Sequence, residues 1–94
     1  MGDSLYEMSV FSRVVAAGSL SAAARDLGIS TAGVSRKLAA LEARLGVRLL
    51  NRTTRRISLT DEGASYHEAC NRILAEIEEA DAAASARLVE PQAG

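Results

Sequence analysis

Tryptophan is missing from this sequence, proline and cysteine occur once each, and two tyrosines and one phenylalanine are its whole aromatic complement. The single cysteine, Cys70, excludes an intramolecular disulfide framework and any site built on several thiolates. With so few rings, the core has to be small and aliphatic. No apolar run approaches the ~20 residues of a membrane-spanning helix, and the N-terminus lacks the basic-then-apolar order of a secretory signal. The near-absence of proline beside 18 alanines favours helix. Ninety-four residues, 48% of them hydrophobic, suffice for one folded core but not for two. A soluble, mostly helical domain is the expectation.

Net charge is −1, but its distribution is uneven. Residues 25–56 carry eight bases (Arg25, Arg36, Lys37, Arg44, Arg48, Arg52, Arg55, Arg56) against two acids, Asp26 and Glu42. Residues 57–94 invert this, with two bases against eight acids. A basic centre of this kind attracts a polyanion although the whole-chain pI of 5.8 would not predict it.

Leu5, Met8, Phe11, Val14 and Val15 recur at helical spacing and predict an amphipathic helix over about residues 4–17. Gly18-Ser19 ends it, with Ser19 or Ser21 available to cap a short second helix over about 20–27. Gly28 turns the chain, Ile29 plugs the turn, and Ser30 caps a third helix from Thr31 to Leu45, which stops at Gly46. On that helix Val34, Leu38, Leu41 and Leu45 fall within a sector of about 60° that faces the core. The opposite side carries Ala32, Arg36, Ala39 and Ala43, flanked by Ser35. The segments 47–51 and 56–60 alternate in part and predict two short strands around a basic tip, 52–55. Thr60 caps a long last helix that begins with Asp61 and Glu62 at its positive end.

Two short helices joined by a glycine turn, the second with a polar outer face, form a helix-turn-helix pattern. The following hairpin adds a wing. A recognition helix reads base edges in the major groove, and an arginine at the wing tip, Arg55, suits the narrow and strongly negative minor groove of A·T-rich DNA. The helix start at Ser30 and Thr31 offers backbone N–H groups to phosphate.

The run from Ser19 to Ser30 (SLSAAARDLGIS) resembles the LysR-type transcriptional regulators. So do Val34-Ser35-Arg36-Lys37-Leu38, Leu41-Glu42, Leu45 to Leu50, Arg52-Thr53 and Leu59 to Gly63, and the resemblance spans about residues 4–88. It implies a winged helix-turn-helix of three helices plus a two-stranded wing over 1–60. A linker and dimerisation helix over 61–88 and the start of a hinge over 89–94 follow. It also implies an effector domain beyond this chain, so that the sequence is expected to be a fragment ending near the linker's exit. By position, Ser30, Thr31, Ala32, Ser35 and Arg36 face DNA, and Arg52 and Arg55 contribute from the wing. The chain departs from the commonest family pattern at Thr31, where a longer side chain such as Gln is frequent, and at Leu50, where Phe is frequent.

Along the last helix Tyr66, Cys70, Ile73, Ile77, Ala80 and Ala84 follow the 4-3-4-3-4 spacing of a coiled-coil seam. Ile73, Ile77, Ala80 and Ala84 are the expected dimer contacts, whereas Tyr66 and Cys70 serve equally well against the chain's own core. Ser65, His67 and Glu68 contain the letters of a hydrolase triad, but neighbours on one helix cannot converge as nucleophile, base and orienting acid. His67 and Cys70 are too few for a zinc site. The expected protein is a non-enzymatic regulator of the bacterial cytoplasm and nucleoid, without metal, cofactor or membrane. It binds a two-half-site operator on double-stranded DNA as a homodimer, becomes a tetramer at full length, and meets a small-molecule inducer only through the effector domain. Two rivals remain: a winged-helix protein of another regulator family, and a helical protein-interaction module, for which DNA affinity at physiological salt would be negligible.

Overall fold

The computed structural model describes the backbone of residues 2–52 and 57–89 and the side chains of residues 4–51 and 57–86. The elements run α1 (Gly2–Ala17), α2 (Leu20–Leu27), α3 (Thr31–Leu45), β1 (Leu50–Arg52), β2 (Ile57–Leu59) and α4 (Asp61–Val89). Val10, Phe11 and Val14 are fully buried on α1, which packs against α2, α3 and α4. Ala23 and Ala24 of α2, Val34, Leu38 and Leu41 of α3, Leu49, Leu50 and Cys70 complete the core.

Local chemistry sets most boundaries. The Ser19 hydroxyl accepts from the Ala22 amide and starts α2. Gly28 closes it at φ 73°, a left-handed conformation open to glycine at little cost, and its amide returns to the carbonyl of Ala24 at 2.9 Å. Ser30 then opens α3 by accepting from Gly33 at 2.9 Å. Thr60 opens α4 the same way, accepting from Gly63 at 2.9 Å while donating to the Arg48 carbonyl at 2.7 Å.

Three differences from the sequence-based expectation have physical causes. Val10, not Leu5, is buried on α1, and Leu5 remains 40% exposed. Because α1 is embraced on three sides, its buried face is wider than one stripe, and Leu5 lies at the rim of the open groove between α1 and α4. The first strand is three residues long, beginning at Leu50 rather than Val47. The Leu49 and Leu50 amides donate to Glu42 Oε2 at 2.8 and 3.1 Å, so the chain before Leu50 is tied to α3, and Val47 stays 39% exposed. β1 and β2 pair antiparallel with Leu50 opposite Leu59, Asn51 opposite Ser58 and Arg52 opposite Ile57.

The third difference concerns the long helix. Cys70 is fully buried, and Tyr66 packs on the core with its ring centroid 5.6 Å from that of Phe11. His67 meets Phe11 edge-on at 6.1 Å. The first half of the seam therefore belongs to this domain. Ile77, expected as a dimer contact, is half-buried in a groove of about 490 Å³ against Leu5, Ser9 and Ala16 of α1. Beyond it, residues 78–86 are exposed, and α4 at ~1.5 Å per residue carries the molecule out to 58 × 25 × 22 Å.

Candidate nucleic-acid interface

The outer side of α3 is an exposed surface backed by the core. Its inner residues Val34, Leu38 and Leu41 are locked in the core, while Thr31, Ala32, Arg36, Ala39 and Ala43 are exposed and Ser35 is half-buried. Small residues at 32, 39 and 43 let the helix approach another surface closely. Glu42, the one acid of α3, is turned to the Leu49 and Leu50 amides, so the outer face carries no competing carboxylate.

Ser30 is exposed, and its hydroxyl is engaged by Gly33, so what it contributes is helix geometry. That cap leaves the amides of Thr31 and Ala32, in the first turn, without an intrahelical carbonyl, which makes the end of α3 a natural anion-binding point. Thr31, Ala32, Ser35 and Arg36 are thus brought together on one end of one helix. Of the wing, the backbone of Arg52 closes β1, and its side chain lies outside the described residues, as does all of Arg55.

Three features of this region were not anticipated from the sequence. Lys37, on the flank of α3, holds its Nζ 5.4 Å from the ring centroid of Tyr6 on α1. On the same flank Arg44 forms an ion pair with the buried Glu7 at 3.0 Å. The carboxylate of Glu7 also raises the pKa of the Arg44 guanidinium, partly offset by burial. Gly63 packs so closely under the wing that a Cβ there would stand 2.0 Å from the Leu49 carbonyl oxygen. Residue spacing signalled none of the three, because each is made across elements.

On α4, burial pushes the Tyr66 hydroxyl up, as does neighbouring Cys70, against the pull of Arg44. Burial likewise pushes the Cys70 thiol up, opposed by Tyr66. Of the expected dimer contacts, Ile73 is 39% exposed, Ile77 is half-buried, and Ala80 and Ala84 are exposed. Ser65 and Glu68 are exposed. Among the described residues, no helix is long and apolar enough to cross a membrane.

A helix-turn-helix with a two-stranded wing and a basic, acid-free recognition face defines a DNA-binding domain of the winged-helix class. Residues 5–64 match the family described as bacterial regulatory helix-turn-helix protein, lysR family, and the chain belongs to that family. It is 54% identical over 83 residues to an HTH-type transcriptional regulator of Xanthomonas campestris pv. campestris, covering 88% of this chain and 24% of that protein. The chain thus spans about a quarter of the length of the curated relatives it matches. Among solved structures, it superposes on the DNA-binding domain of CbnR in complex with DNA with a TM-score of 0.80 at 36% identity, covering 89% of this chain and 97% of that one. The BenM DNA-binding domain on its catB site 1 DNA gives 0.84 at 27% identity, covering 89% and 90%. The relatives are named as transcriptional regulators.

Proposed function

We propose that this domain binds an operator of two half-sites on double-stranded DNA as a homodimer, and carries no catalytic activity of its own. The observation that supports this best is the outer face of α3: capped at Ser30, free of acids, small-sided and presenting Arg36. Such a face enters a major groove, with Thr31, Ala32, Ser35 and Arg36 toward base edges and the first-turn amides toward a phosphate. Arg52 and Arg55 act from the wing, Arg55 in the flanking minor groove.

Residues 1–60 form the reading head, 61–88 the dimerising linker, and 89–94 the beginning of a hinge. Two long helices pair through Ile73, Ile77, Ala80 and Ala84, an apolar series in which Ile73, Ala80 and Ala84 are exposed and Ile77 is half-buried beside α1. The full-length protein is a tetramer in the bacterial cytoplasm, at the nucleoid, and senses a small-molecule inducer through a separate effector domain. Selection of bound duplexes from random sequence tests this reading. Two copies of a short motif related by dyad symmetry are expected, and enrichment of a single half-site or of no motif would refute it.

A further inference from the structure

Lys37 is the only lysine of the chain, and its surroundings differ from those of its neighbour Arg44. Both lie on the flank of α3 that faces α1. Arg44 is neutralised there by Glu7 at 3.0 Å. Lys37 meets no carboxylate among the described residues and rests instead over the π face of Tyr6, 5.4 Å from its centroid. A ring face holds an ammonium in place without cancelling its charge or occupying all its N–H donors. Tyr6 is itself 37% exposed, so its ring stays at the surface beside the ammonium. The two side chains border a shallow hollow with Ser30, Gly33 and Arg36. That hollow therefore combines two cations with the first turn of α3, whose amides and dipole favour an anion. Lys37 is about 100° around the helix from Arg36, on the side away from Ala32 and Ser35, so it lies off the base-facing direction and borders it only through Arg36. At the edge of a groove, that is where a duplex presents its backbone.

We propose that Tyr6 positions Lys37 as a contact to a DNA backbone phosphate at the edge of the groove entered by α3, so that helix α1 takes part in binding. This rests on the DNA-binding reading above. Lys37 is the contacting residue and Tyr6 the positioning residue. The contact carries no base information, so it strengthens binding to any sequence.

The test is the salt dependence of binding of the whole 94-residue chain to a fluorescein-labelled duplex of unrelated sequence and to one selected as an operator. The wild type and the variants Lys37→Met, Tyr6→Phe, Tyr6→Leu and Tyr6→Leu/Lys37→Met are compared by anisotropy. Lys37→Met is expected to flatten the slope of log K against log salt by about 0.9, the release from one phosphate, equally on both duplexes. Tyr6→Phe keeps the π face and leaves affinity unchanged. Tyr6→Leu lowers affinity about two- to fivefold, but has no further effect once Lys37→Met is present. An unchanged slope in Lys37→Met overturns the phosphate contact. Equal loss from Tyr6→Leu with and without Lys37→Met overturns the positioning role and leaves Tyr6 a packing residue. If Tyr6→Leu fails to fold, the Lys37→Met slope decides alone. A wild type with no salt-dependent binding to either duplex removes the DNA-binding reading itself, a result separate from all of these.

Discussion

Gly63→Ala should strongly destabilise the domain, although the same change at an ordinary helical position stabilises by about 1 kcal/mol. The added Cβ would lie 2.0 Å from the carbonyl oxygen of Leu49, 2.9 Å from its carbonyl carbon and 3.2 Å from its Cα. All three are backbone atoms, so no side chain can swing away. Restoring ordinary contact requires the start of α4 and the root of the wing to part by about 1.4 Å. That movement strains two hydrogen bonds, from the Thr60 amide to the Leu49 carbonyl at 3.0 Å and from the Thr60 hydroxyl to the Arg48 carbonyl at 2.7 Å. Each contributes about 1 kcal/mol, and overpacking against Leu49 adds about 1–3. After subtracting the helix-propensity gain, the net loss is about 2–4 kcal/mol, out of a total stability of about 5–14 for a chain of this size. Thermal unfolding followed by circular dichroism at fixed protein concentration should show Tm falling by at least about 8 °C. A Tm equal to or above that of the wild type would refute the close approach and the reasoning built on it.

Ile77→Asp should place a charge on each side of a twofold seam, at a cost of several kcal/mol, and sedimentation at micromolar concentration should find monomers; a persistent dimer would exclude that seam. Stability should also decline in alkali. The folded-state pKa values of Cys70 and Tyr66 are raised above ordinary values of 9.0 and 10.0, so their contribution is complete below about pH 9 and is lost as pH rises through the folded values. Denaturant midpoints between pH 7 and pH 11 measure this, and Cys70→Ser with Tyr66→Phe should flatten the decline; the same decline in that double variant would assign it to other groups.

What the sequence made legible was chemistry that acts between near neighbours. Ser30, Gly28 and Thr60 announce helix ends because a cap is made within three or four residues of the group it satisfies. The outer face of α3 was equally readable, since Val34, Leu38 and Leu41 fix which side is inward and Arg36 falls opposite. Gly63 carried no such signal. In a helical pattern a glycine is only a weak helix former, and the need for it arises from a carbonyl 14 residues away in sequence, that of Leu49. Tyr66 and Cys70 were ambiguous for a related reason: a seven-residue seam looks the same whether it covers Phe11 of its own chain or the helix of a second copy. Glu7 counted as one more acid in the charge balance, whereas its place is buried beside Arg44. Arg52 and Arg55 rest on the sequence alone, the side chain of the first and the whole of the second lying outside the described residues.

Sequence-specific reading by α3 is the central claim, and Arg36 is its most direct test. The guanidinium is exposed opposite the buried face, within two turns of the capped end, and can grip guanine O6 and N7 with two donors. Binding of the wild type and Arg36→Ala should be measured on an operator and all its single-base variants, at two salt concentrations. Arg36→Ala should lose about 1–3 kcal/mol on the operator and cease to discriminate at one base pair of each half-site, with non-specific binding largely spared. An even loss across every variant, with the salt slope reduced by about one, would make Arg36 a phosphate contact and contradict the claim.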